Sequence, residues 1–372
     1  MRVFLTSPWI PAEWVRAHGL EACGLWFAEH FRAAGNEATS REQPVLRLAA
    51  GVCAFAESVV RFAETHPDSA VVFTTACDQL RRGFDEAAFR GASRAFLFNL
   101  PATQTPVARQ IYRAELERLG QFLLDLGGVM PTPERLHGEM LCTDETRRRL
   151  RAAAPGASAR SFAESIARYH VDGTFLEPSP FTGKPGTRNQ KSDGIQKPDA
   201  SISGPVRDFT TPGPEPRATH SGFRTSNVHA VPLALVGGPL SAADWDLFDA
   251  IESVGGRVVL NATQTGERSL SPVFPAGADP FDALADGYLQ NIADVFQRPN
   301  TRLYAWLKPR LLARYSRGIV LWHFTGCDLW RAEMQTLREF AGLPVLSLEA
   351  EESAVLSSRD INRLQAFVET LT

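Results

Sequence analysis

Short apolar runs alternate along the chain with longer stretches in which apolar residues return every three or four positions. AVVFTT at 70–75 and AFLFN at 95–99 are runs of the first kind, of strand length and rich in β-branched and aromatic residues. Stretches of the second kind predict helices. Residues 105–126 carry Val107, Ile111, Leu116, Leu119 and Leu123 at helical spacing, and 132–149 place Pro133 and Glu134 in a first turn. Further on, the pattern predicts strands at 231–236, 257–260, 318–322 and 344–348, with helices at 241–254, 281–297, 301–315, 328–341 and 357–371. Strands that alternate with helices in this way are wrapped by them around a mainly parallel sheet. The expected fold class is therefore α/β, with two Rossmann-like domains.

One stretch breaks the pattern. Residues 184–227 are rich in Pro, Gly, Ser and Thr, lack apolar periodicity and hold Lys184, Lys191 and Lys197, three of the four lysines in the chain. Such a segment does not bury enough surface to offset its chain entropy, so a flexible insert is expected there. The expected division is an N-terminal α/β domain over 1–183, the insert over 184–227, and a C-terminal α/β domain over 228–372. Length agrees: 372 residues, 44% of them hydrophobic, suffice for about two cores. A formal net charge of -3 supplies no global positive field, which argues against a nucleic-acid partner. The first residues lack a basic-then-apolar leader, and no apolar run approaches the roughly 18 residues of a membrane span. A cytoplasmic protein is expected.

Five widely spaced cysteines do not suggest a disulfide framework, so free thiols are the default. Two of them share a context. Cys77 follows AVVFTTA and precedes Asp78, while Cys327 follows GIVLWHFTG and precedes Asp328. In both, a strand leads through Cys-Asp into a helix, which places a thiol beyond the carboxyl end of a parallel strand and at the positive end of a helix. Thiolates are stabilised there, and soft sulfur ligands suit an iron–sulfur cluster or zinc. Cys23, in LEACGLWF, is the natural third ligand of such a centre. Cys53, inside the helical pattern GVCAFAESVVRF, and Cys142 are assigned to packing. His323, four residues before Cys327, is a candidate fourth zinc ligand or a hydrogen-bonded neighbour of the site. Gly238, before the S-x-x-D helix start of Ser241 and Asp244, offers backbone N–H groups to a phosphate, although a plain capping box accounts for the same residues. Arg268, in the loop after the 257–260 strand, is a candidate partner for a phosphate or carboxylate in the crevice.

At these residues the sequence resembles the D-component family shared by 2-hydroxyacyl-CoA dehydratases and benzoyl-CoA reductase subunits. The likeness runs through PAEWVRAHGL, FTTACDQLRR, LPATQTPVARQIYRAELERL, GGPLSAADWDLFDAIESVGGRVVLNATQTGER, GIVLWHFTGCDLWRAEM and RLQAFVETL, in that order along nearly the whole chain outside the insert. The resemblance implies a [4Fe–4S] cluster in the cleft between the two domains, held by three cysteines. Cys77 and Cys327 match two of the ligands; Cys23 is the expected first, with Cys53 in reserve. It also implies dehydration of a 2-hydroxyacyl-CoA through a ketyl radical, with a homologous second subunit and an ATP-dependent iron–sulfur activator protein as partners. Reduction of an unsaturated acyl-CoA, and a non-catalytic paralogue that pairs with an active subunit, are the alternatives. The chain itself has no G-x-x-x-x-G-K-[ST] loop to supply ATP chemistry. Trp306 and Trp330 are candidates for the partner surface, with a place in the core as the alternative for each.

Overall fold

The structure, a computed structural model, describes residues 1–28, 53–181, 230–275, 277–350 and 356–372. The insert expected at 184–227 lies outside them. Two four-stranded sheets organise the rest, and every strand pair in both is parallel. The first sheet contains β1 (Arg2–Leu5), β2 (Glu21–Gly24), β3 (Ala70–Thr74) and β4 (Ala95–Phe98) in the spatial order β2-β1-β3-β4. The second contains β5 (Val231–Gly237), β6 (Gly256–Thr263), β7 (Gly318–Phe324) and β8 (Val345–Ala350) in the order β6-β5-β7-β8. The two orders are the same when each sheet is counted from its own first strand. β3 and β7, the strands that lead into Cys77 and Cys327, therefore hold equivalent places beside the point where strand order reverses. That is where open parallel sheets bind ligands.

Eleven α-helices among the described residues cover the sheets: α1 (Ala12–Ala17), α2 (Ala54–Thr65), α3 (Asp78–Phe89), α4 (Pro106–Asp125), α5 (Pro133–Ala153), α6 (Ala159–Asp172), α7 (Asp246–Ser253), α8 (Pro280–Asn291), α9 (Thr301–Ala313), α10 (Asp328–Ala341) and α11 (Ser358–Leu371). Their starts follow capping chemistry. Thr105 and Thr132 accept from the N–H groups of Ala108 and Arg135 ahead of Pro106 and Pro133, the first helical residues of α4 and α5. None of the described helices is long and apolar enough to cross a membrane.

The two lobes share their interior. Phe4, Val71 and Phe73 of the first sheet belong to one apolar cluster with Leu233, Val320 and Trp322 of the second. α8, which follows β6 in the chain, packs Leu284, Leu289 and Ile292 into the core around Val3, Leu5 and Leu116 of the first lobe. Ion pairs seal that contact from outside: Arg109 donates to Asp286 at 2.5 Å, and both Arg109 and Arg113 meet Asp282. The strand ends are held close to one another. Gly237, the last residue of β5, has φ 144°, and a Cβ there would lie 1.8 Å from the Trp322 carbonyl oxygen of β7, so only glycine is accommodated.

Candidate functional site

Three cysteines stand at three helix starts. Cys53 is the N-cap of α2, Cys77 of α3 and Cys327 of α10. The Cys53 Sγ accepts from the Ala56 N–H at 3.5 Å, and the Cys77 Sγ from the Leu80 N–H at 3.4 Å. Cys327 makes no such cap bond, although the Trp330 N–H pulls its thiol pKa downward. All three line one cavity of about 340 Å³, at the carboxyl ends of β3 and β7 and open to both lobes. Two further contacts fix their neighbourhood. Gln79 Oε1 accepts from the Cys53 N–H at 3.0 Å, which ties the start of α2 to the start of α3. Gly326, at φ 82°, turns the chain out of β7, and a Cβ on it would lie 3.7 Å from the Cβ of Cys53.

Burial decides the charge of these thiols. It pushes Cys77 up to about 12 and Cys327 up to about 11, and it raises Cys53 as well. The helix N–H groups oppose that trend, while the proximity of the cysteines to one another adds to it for Cys77 and Cys327. Left alone, the three sulfurs are protonated at neutral pH. A bound cation reverses the balance, because metal ligation deprotonates a thiol and the N–H donors already face the sulfur. Among the described residues, no group of three or more His, Cys, Asp or Glu side chains that could hold a metal ion is found.

The walls are mixed. Phe55, Val295, Phe296, Phe324 and Leu329 are apolar; Gln264, Asp294 and Arg298 supply polar groups, and Asp78 and Asp328 follow their cysteines as the first residues of α3 and α10. An acid in a first helical turn is favoured by the helix dipole. Phe55 stacks on Phe324 with ring centroids 5.9 Å apart, so the helix that starts at Cys53 rests on the strand that ends before Cys327.

The other expected residues sit elsewhere. Cys23 is in β2, paired in register with Phe4, and 3% exposed in the shared apolar core; burial raises its thiol to about 12 and it does not line the cavity. Cys142 is exposed on α5. His323 is buried in β7, its Nε2 2.9 Å from the Ser347 hydroxyl and its Nδ1 3.3 Å from the Phe324 carbonyl. The Gly238 N–H donates to the Trp322 carbonyl at 2.9 Å, which leaves it no hydrogen for a phosphate. Ser241 and Asp244 form the capping box, with the Ser241 N–H donating to Asp244 Oδ2 at 2.8 Å. Arg268 is not in the crevice: it is 2% exposed, and its guanidinium is bound to the carbonyls of Gly237, Ala262 and Ala293 and to Asp294. Trp330, a candidate for the partner surface or the core, is 3% exposed and forms part of the cavity wall, because α10 turns that face onto the sheet. Trp306 is half-buried beneath the guanidinium of Arg310.

The sequence reading did not single out Gln79 and Gln264, which lie within stretches quoted for the resemblance, or Asp294, which lies in none of them. It also assigned Cys53 to packing, although the apolar period of α2 opens at Phe55, two residues later, and so marks Cys53 as a helix start.

No curated protein matches the chain. The family model for the 2-hydroxyglutaryl-CoA dehydratase, D-component, matches residues 9–184 and 211–371, which include all three cavity cysteines. With nearly its whole length matched, and with paired parallel sheets that bring those cysteines to one cleft, the chain belongs to the 2-hydroxyglutaryl-CoA dehydratase D-component family.

Proposed function

We propose that this chain is the iron–sulfur subunit of a 2-hydroxyacyl-CoA dehydratase-like enzyme, and that Cys53, Cys77 and Cys327 hold a [4Fe–4S] cluster in the cavity between the lobes. The observation that carries the reading is the convergence of three thiols, each at a helix N-terminus, on one cavity. When bound, such a cluster supplies single-electron reduction of a thioester carbonyl, the chemistry by which a 2-hydroxyl leaves a ketyl-type substrate radical.

The chain's own residues have three tasks. The helix starts of α2, α3 and α10 stabilise three thiolates that burial alone would keep protonated. Phe55, Phe296, Phe324 and Leu329 present apolar surface that keeps water from a reactive intermediate. Arg298 is the one cation among the described residues that line the cavity, and it suits an anionic or carbonyl oxygen of the substrate. A D-component is one part of an assembly. The partners in this reading are a homologous second subunit and an ATP-dependent iron–sulfur activator, with an acyl-CoA as substrate.

The test is anaerobic reconstitution. The chain is mixed with 2-hydroxyacyl-CoA, then the homologous subunit is added, then activator, ATP and reductant. Enoyl-CoA is expected only in the last mixture, and not when the chain carries Cys327→Ser. Turnover by the chain alone without ATP contradicts the scheme. Reduction of an aromatic acyl-CoA under the same conditions, without dehydration, assigns the chain to the reductase branch instead.

A further inference from the structure

Arg268 and Asp294 form a buried ion pair that no part of the reading above uses. Their side chains are 2% and 8% exposed, and Arg268 Nη1 donates to Asp294 Oδ2 at 2.9 Å. Three further guanidinium hydrogen bonds go to backbone carbonyls, two at the ends of β5 and β6 and one just after α8. Nη2 donates to the carbonyl of Gly237 at 2.6 Å, Nε to that of Ala262 at 2.8 Å, and Nη1 also to Ala293 at 2.9 Å. The guanidinium lies over the Trp330 ring, 4.9 Å from its centroid. Asp294 is fixed on its other side too, where Oδ1 accepts from the Phe296 N–H at 3.0 Å.

The pair is oriented. Asp294 and Trp330 line the cavity with the three cysteines, whereas Arg268 stands behind them and does not. The negative end therefore faces the cavity and the positive end faces the sheet. Asp294 also acts on Cys327 through space, opposing its ionisation. A carboxylate that only held the fold together would gain nothing from being placed beside a redox ligand, and burying an ion pair is weak evidence for stability. Charge placed just outside the ligands of a metal centre tunes its potential.

Building on the cluster site proposed above, we infer that Asp294, held in place by Arg268, is a positioning residue that sets the reduction potential of the centre bound at Cys53, Cys77 and Cys327. Reduction adds an electron to the site, and a fixed negative charge beside it disfavours that step. The pair thus keeps the centre a strong one-electron donor.

The test is an EPR-monitored redox titration of the anaerobically reconstituted full chain, alongside iron and sulfide content. Asp294→Asn keeps the shape and removes the charge; it is expected to shift the equilibrium toward the reduced form about tenfold, which is about 59 mV for a one-electron couple. Asp294→Glu, which keeps a carboxylate, should stay near the wild-type potential. Should Asp294→Asn fail to fold because Arg268 is left unpaired, the double variant Arg268→Met/Asp294→Asn removes both buried charges and is expected to rise in the same direction by a smaller step. A loaded variant with an unmoved potential, single or double, overturns the inference and leaves the cluster reading standing. Wild-type protein that binds no iron overturns both.

Discussion

Two regions of this molecule bury ionisable side chains, and they treat charge in opposite ways. Around Arg147 opposite charges are paired, although Arg147 Nη1, 3.5 Å from Asp144 Oδ1, makes no hydrogen bond. Arg147 Nη2 donates to Glu13 Oε1 and to the Tyr288 hydroxyl, each at 2.7 Å; Nε donates to the Tyr169 hydroxyl at 2.7 Å; and the Tyr288 hydroxyl donates to Glu13 Oε2 at 2.7 Å. Glu13 is 0% and Arg147 1% exposed, and the residues come from α1, α5, α6 and α8. This network pins four helices from both halves of the chain. Around the three cysteines the opposite holds: N–H groups face or pull on sulfurs whose burial keeps them from ionising. A network of paired charges reads as structure, whereas charge prepared for but withheld reads as a site for something that brings the opposite charge.

The largest expected effects sharpen that contrast directly. Cys77→Ser and Cys327→Ser should each strip the iron from reconstituted protein, since two remaining thiolates do not retain a cubane, while far-UV circular dichroism stays unchanged. Iron retained at the wild-type level in both would remove the contrast. Arg147→Met should do the reverse. Leaving Glu13 buried and unpaired costs about 3–5 kcal/mol by denaturant unfolding, and iron per folded chain is unaffected.

A smaller effect separates the regions by pH. His170, beside Arg147, is lowered to about 3 by burial, with Arg147 and Arg16 adding to it. The unfolded chain therefore takes up a proton near pH 6.5 that the folded chain refuses, so stability falls as pH drops from about 6.5 toward 3. His170→Asn should flatten that limb of a melting-temperature profile. The metal-free thiols act on the opposite side. Their folded pKa values lie above the unfolded value near 9, so stability falls as pH rises from about 9 toward 11–12. Loaded protein, whose ligands are already thiolates, should lack the alkaline limb but keep the acid one.

What the sequence made legible was local. Cys77-Asp78 and Cys327-Asp328 stand out because strand, thiol and helix start follow one another within a dozen residues, and the strands at 70–75 and 318–322 lie within one or two residues of β3 and β7. β1 and β2 escaped notice; β2, EACG, holds no β-branched or aromatic residue to mark it as a strand. Cys53 was read as helix interior because cysteine is not among the usual N-cap residues. Glu13 and Arg147 are 134 positions apart, and Arg268 meets Asp294 only after a turn, a helix and a loop intervene. No spacing rule connects such pairs; the topology does.

The central claim is that the cavity thiols, and not the thiol buried in β2, hold the cluster. Iron and sulfide content with EPR of the reduced protein, measured side by side on anaerobically reconstituted wild type, Cys53→Ser and Cys23→Ser, tests it most directly. The account predicts about four iron and four sulfide per wild-type chain, the [4Fe–4S] stoichiometry, an unchanged content and spectrum for Cys23→Ser, and loss of both for Cys53→Ser. Iron lost from Cys23→Ser and kept by Cys53→Ser would contradict it.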